Sequence, residues 1–153
     1  MYNELTWKNG EKFTREYMEN HGYKIVYTNF SCVGVELDIV SILPSKIQKK
    51  NLKLELKEKI KIKESSQDKK ILKKSYKNLI KNATDLLVIT EVKSRKTNLF
   101  GTGKDSINEY KINNIKKGAR YLITKKEFKN MQIRYDVSSV DAGEIDYIEN
   151  AFV

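Results

Sequence analysis

Asp85-Leu86-Leu87-Val88-Ile89-Thr90-Glu91-Val92-Lys93 opens as an unbroken apolar run and closes on two charges. A run of this length with β-branched residues reads as a strand buried on both faces. Strand side chains alternate, so Glu91 and Lys93 leave on the same face, side by side, at the end of that strand. Withdrawing a charge from water costs several kcal/mol unless it is paired or coordinated. A salt bridge at a strand end that solvent reaches would satisfy both residues. Chemistry requires a second acid from elsewhere in the chain.

The 153 residues suffice for one domain with a real core, expected to span 1–153. No apolar run is long enough to cross a bilayer, and the polar start of the chain does not resemble a secretion signal. Cys32 is the only cysteine, which excludes a disulfide framework and a thiolate metal cluster and fits a reducing cytoplasm. His21 is the only histidine, which excludes multi-histidine zinc sites and argues against a Ser/His/Asp triad. It stands just before Gly22, where a helix is expected to end, so a capping role suits it. A catalyst in this chain would be built from carboxylates, lysines and a hard metal ion.

The net charge of +10 is unevenly placed. Residues 44 to 83 carry 14 lysines against Glu55, Glu58, Glu64 and Asp68, a balance equal to that of the whole chain. The remainder is neutral, so the basic character is a local attachment.

In order, a helix is expected from near Thr6 to His21, with Glu11 at the border of its apolar stripe. A strand follows over Tyr23–Phe30, then another over Val35–Ile42, where Glu36 and Asp38 alternate with Leu37 and Ile39. Pro44 ends it. Residues 45–83 read as an insertion. Leu52, Leu54, Leu56, Ile60 and Ile62 alternate with charged residues in a strand pattern, and Ile71, Leu72, Tyr76, Leu79 and Ile80 follow at helical spacing. Gly101-Thr102-Gly103-Lys104 is not a phosphate loop, because Asn98 replaces the first glycine and Asp105 the final Ser or Thr. A second helix is expected over 105–124, with Lys111 flanking its buried face. A strand over Met131–Val140 is expected to turn Arg134 and Asp136 outward, and Glu144–Ile148 is a short last strand. The fold class is α/β, a mixed sheet flanked by helices in the order αβββαβ, with a Lys-rich β-α insertion.

An acid on one strand and Glu91-Val92-Lys93 on its neighbour would converge at one end of the sheet. Two carboxylates suit Mg²⁺ (or Mn²⁺), which takes oxygen ligands and keeps several waters, and the backbone carbonyl of Val92 offers a third oxygen. A lysine beside a metal-bound water positions it or neutralises charge developing on a phosphate. These are the parts of metal-assisted phosphodiester hydrolysis.

Several segments together resemble a known family. Gly10-Glu11, Tyr17-Met18 and Gly22-Tyr23 match its first helix. Glu36-Leu37-Asp38-Ile39-Val40 resembles its G-E-I-D-L-I strand, and Thr90-Glu91-Val92-Lys93-Ser94-Arg95 its V-E-V-K-x-R. Phe100-Gly101, Lys111, Ala119-Arg120-Tyr121-Leu122, Arg134-Tyr135-Asp136-Val137 and Asn150-Ala151-Phe152 follow in family order. The chain is thus similar to the YraN-like bacterial proteins, grouped with the PD-(D/E)xK nucleases and akin to Holliday-junction resolvases. The resemblance implies a restriction-endonuclease-like core in which Asp38 and Glu91 hold the metal, Lys93 serves the attacking water and Glu11 assists from the helix. Val35 stands where the family has a glycine, with Gly34 one place earlier. The family has a short hairpin where residues 44–83 stand.

Three functions compete. One is a Mg²⁺-dependent endonuclease acting on DNA, with branched DNA among its candidate substrates and Arg95, Lys96, Lys104 and Lys111 touching phosphate. The second is a nucleic-acid-binding module that keeps the fold without turnover, driven by the lysine segment. The third makes that segment the contact of a homodimer.

Overall fold

The computed structural model describes residues 2–95 and 107–153, with side chains over 9–94 and from residue 107 onward. The elements run α1 (Tyr2–Asn20), β1 (Lys24–Cys32), β2 (Val35–Leu43), α2 (Ser45–Lys61), α3 (Ser66–Asn82), β3 (Leu86–Arg95), α4 (Glu109–Leu122), a 3₁₀ turn (Lys126–Phe128), β4 (Gln132–Asp141) and β5 (Glu144–Phe152). The five strands form one sheet in the order β1-β2-β3-β4-β5. Only β3 and β4 are parallel, and α4 makes the crossover that a parallel pair requires. This is an α/β fold consistent with a restriction-endonuclease-like core. No described helix is long and apolar enough to cross a membrane.

The central strand is covered on both sides, as its apolar run demands. Leu87 and Ile89 join Leu37, Val40, Ile115, Ala119, Leu122 and Phe128 under α4. Val88 and Val92 join Met18, Tyr23, Ile39 and Leu43 under α1. The helix α1 starts at Tyr2, earlier than Thr6, because nothing between those residues breaks a helix. Gly10 sits inside it against β3, where an added Cβ would collide with Ser94 Oγ. This close approach outweighs the roughly 1 kcal/mol that glycine costs in a helix interior. Val33 and Gly34, both at positive φ, make the tight turn from β1 to β2.

The segment between β2 and β3 departs from expectation. Leu52–Lys63 is not a strand: residues Ser45–Lys61 are helical, and α3 follows after a short link. The alternation of Leu52, Leu54 and Leu56 conceals a second period. Leu52, Leu56 and Ile60 also recur every fourth residue, and they are the half-buried ones, whereas Leu54 is 50% exposed. Lysine, leucine and glutamate favour helix, and the segment lacks the valines and threonines of a strand. Tyr76 of α3 is buried in the seam between the two helices, with its hydroxyl 2.7 Å from Glu55 Oε1 and Lys59 bridging to the same carboxylate oxygen at 2.6 Å. Ser65 caps α3 by accepting from the Asp68 amide.

β4 brings the second correction. Arg134 and Asp136 do not face solvent, because the face expected to be wet is covered by α1 and by the side chains of Tyr23 and Tyr147. Asp136 is fully buried and accepts from Arg134 Nε at 2.8 Å and Nη2 at 2.7 Å, from the Tyr147 hydroxyl at 2.7 Å and from the Asn150 amide at 2.9 Å. The same Arg134 nitrogen Nη2 donates to the Tyr23 hydroxyl at 2.6 Å, and Tyr147 lies 3.0 Å from Thr90 Oγ1. The fork-shaped pair and its partners tie the residue before β1 to β3, β4 and β5. β5 runs to Phe152, longer than expected, since Tyr135 pairs with Phe152 across the end of the ladder.

Removing Asp136 strands a buried guanidinium. Asp136→Ala is expected to lower unfolding stability by about 3 kcal/mol or more, and Tyr147→Phe by about 1 kcal/mol. Urea unfolding of the two variants against the parent measures both.

Candidate functional site

β2 and β3 pair antiparallel through Leu43↔Leu86 to Ile39↔Thr90, and the ladder stops there. One residue beyond that end on each strand stand Asp38 and Glu91. An antiparallel pair in register places opposed side chains on one face about 5 Å apart at Cβ. Both carboxylates are 2% exposed. Asp38 replaces the missing ladder bond with its side chain, accepting from the Val92 amide at 2.8 Å. A residue's N–H and C=O leave a strand towards the same neighbour, so the Val92 carbonyl is turned towards β2 as well.

Two lysines converge on Glu91. Lys93 Nζ is 3.2 Å and Lys111 Nζ 3.4 Å from its Oε1. Lys93 comes from the same strand, two residues on. Lys111 comes from the first turn of α4, whose Asn108 cap accepts from the Lys111 amide at 2.9 Å. Both contacts are ionic, because Oε1 is buried without an aligned hydrogen bond. Both lysine side chains remain partly exposed, at 25% and 33%, so the cluster is open to water on the lysine side.

Burial pushes the Asp38 carboxyl up to about 7, and the nearby Glu91 charge pushes in the same direction. The Val92 amide and the Lys111 charge pull it back. Asp38 is therefore poised between its neutral and ionised forms near neutral pH.

The structure brings Asp38, Glu91, Lys93 and Lys111 together. Lys111, read from sequence as a phosphate contact, stands within the carboxylate cluster. Glu11 Oε2 accepts from Asn29 Nδ2 at 3.0 Å, and Asn29 lies between the β1 residues that pair with Leu37 and Ile39, beside Asp38. The backbone of Arg95 ends β3, but its side chain, Lys96 and Lys104 lie outside the described residues. Sequence reasoning missed the helix cap at Asn108 and the burial of Arg134 and Asp136. Asn three residues before Lys111 was the available signal for the former.

The family model "Uncharacterised protein family UPF0102" matches residues 10–140. The chain belongs to this family. It is the YraN-like family indicated by the motifs. A UPF0102 protein of Persephonella marina is 27% identical over 152 residues, covering 99% of this chain and 97% of its own length. One from Fusobacterium nucleatum subsp. nucleatum is 37% identical over 90 residues, covering 55% of this chain and 76% of its own. One from Geobacter sulfurreducens is 26% identical over 156 residues, covering 99% and 91%. The matched span of the UPF0102 model includes all four residues of the cluster.

Asp38 gives a direct pH test on metal-free protein in chelator. Its carboxyl titrates higher in the fold than in the unfolded chain, where it sits near 4. The stabilisation from holding it neutral is therefore complete below about pH 4 and disappears as pH rises through about 7. Asp38→Asn stays neutral and keeps an acceptor for Val92. It is expected to exceed the parent in stability at pH 8 by a few kcal/mol, on the order of 1.4 kcal/mol per pKa unit, with the gap closing by pH 4. Denaturant titrations at the two pH values measure it.

Proposed function

We propose that UPF0102 proteins of this type are endonucleases acting on DNA, with the Asp38–Glu91–Lys93–Lys111 cluster as the metal-dependent hydrolytic site. The observation that carries this reading is the meeting of two buried carboxylates from different strands where their ladder ends, with two solvent-facing amines beside them.

The donor set fits Mg²⁺ or Mn²⁺. Asp38 and Glu91 supply hard anionic oxygens, Glu91 Oε1 lacks an aligned hydrogen bond, and the Val92 carbonyl turns the same way. Two protein carboxylates suit an ion which keeps several waters, and do not make a closed zinc site. When bound, such an ion supplies a Lewis acid and a water of lowered pKa.

The remaining roles belong to the chain. Asp38 binds a cation only when ionised, and the Val92 amide and the Lys111 charge favour that form. Lys93 is held at the mouth of the site, where its amine can hydrogen-bond an attacking water or offset charge on a phosphoryl oxygen. Lys111, at the start of α4, adds positive charge where the helix dipole is also positive, and so favours an approaching phosphate.

The test incubates the full chain and Mg²⁺ with labelled four-way junction, flap and linear duplex DNA. Cleavage of at least one substrate is expected, lost on chelation and reduced by about 100-fold or more in Lys93→Ala. Absence of cleavage on all three, or equal cleavage by Lys93→Ala, overturns the reading.

A further inference from the structure

Ten lysines of the α2–α3 hairpin stand in two rows on one of its flanks. At 100° per residue, Lys46, Lys50, Lys53, Lys57 and Lys61 fall within an arc of about 80° on α2. Lys70, Lys73, Lys74, Lys77 and Lys81 fall within about 100° on α3. The seam is lined by the half-buried Leu52, Leu56 and Ile60 of α2 and by Leu72, Tyr76 and Ile80 of α3, with Tyr76 reaching Glu55 and Lys59 at its edge. Both rows are displaced from it in the same rotational sense. Reversing a helix reverses left and right along with that sense, so in an antiparallel hairpin the two rows share one flank. The acids Glu55, Glu58 and Asp68, with Asn51, Asn78 and Asn82, occupy the other. Leu54, Ile71 and Leu79, the exposed apolar residues of the two helices, lie outside both arcs.

We propose that this two-row flank is a docking surface for the phosphodiester backbone of a nucleic acid, separate from the carboxylate cluster and not dependent on it. Rows of like charge at i, i+3 and i+4 oppose helix formation, so they do not serve the hairpin's own stability. Each row repeats about every 5.4 Å over roughly 20 Å. One DNA strand presents a charge about every 3.4 Å along the axis, so a row spans some six phosphates. Helix axes in contact lie about 8–10 Å apart, which lets both rows meet one ligand. A membrane surface is a poorer match, because an interfacial helix sets an apolar face between its lysines. Here the apolar stripe Leu52, Leu56, Ile60, Leu72, Tyr76 and Ile80 is turned into the seam, and the rows themselves contain none.

The test measures binding of the full chain to duplex DNA and duplex RNA, with chelator present, across a salt series. The row variant carries Gln at Lys50, Lys53, Lys57, Lys73 and Lys77. The control carries Gln at Lys12, Lys24, Lys117, Lys126 and Lys129, exposed lysines elsewhere that remove the same charge. Circular dichroism verifies that each folds. For either duplex, the parent's slope of log K against log salt is expected to become shallower by about 3 to 4.5 in the row variant, at 0.9 per lost contact. The control should change by less than about 1, and Arg at the five row positions should restore the parent slope. Equal losses in row and control variants overturn the proposal, as does an unchanged row variant. Binding to phosphatidylserine vesicles with no binding to either duplex also overturns it. Asp38→Asn should bind like the parent. Failure of the metal-site reading would therefore appear as absent cleavage with row-dependent binding intact.

Discussion

The structure depends on one placement: two buried carboxylates facing each other where the β2–β3 ladder gives out. Continuing the ladder would leave no room for a side chain to receive the Val92 amide, and stopping it without Asp38 would orphan that amide in the interior. The carboxylate therefore closes the sheet and at the same time is held near Glu91. Two like charges this deep repel, and the fold answers with lysines from two directions, one on the strand and one on α4. Everything that positions α4, from the Asn108 cap to Ile115, Ala119 and Leu122 beneath it, keeps that compensation in place.

On the opposite side of the sheet, a second polar group is organised in the contrary way. Asp136 has every acceptor position met by an arginine fork, a tyrosine and an amide, and no open edge. It is a clamp. The comparison separates the two kinds of buried acid: Asp136 is saturated and matched in charge, whereas Glu91 Oε1 has ion pairs but no aligned hydrogen bond, burial pushes the Asp38 carboxyl up, and the neighbouring lysine side chains reach water.

The sheet was readable because its signals are local and strong. An apolar run ending in Glu91 and Lys93 admits one reading, and a strand of alternating acids before Pro44 another. Which acids would meet follows from those two strands being neighbours. The two-helix segment was misread because Leu52, Leu54 and Leu56 satisfy a period of two while Leu52, Leu56 and Ile60 satisfy a period near four; only packing against α3 selects between them. Arg134 and Asp136 look like the wet side of a half-exposed strand. What covers them arrives from Tyr23 and Tyr147, over a hundred residues upstream and eleven downstream, and no local pattern announces it.

Leu43 and Leu86 are ladder partners, so the chain leaves and re-enters the sheet one strand spacing apart. The joint is fastened locally, by Asp85 accepting from the Ser45 amide and by Gln48 donating to the Leu43 and Thr84 carbonyls. The opening works as a socket. Loop-closure entropy grows only with the logarithm of length, so a tight turn or a long appendage can occupy it at nearly the same cost to the strands. Evolution can then exchange the appendage, and with it the surface the molecule presents, while the carboxylate cluster at the other end of the same two strands stays untouched.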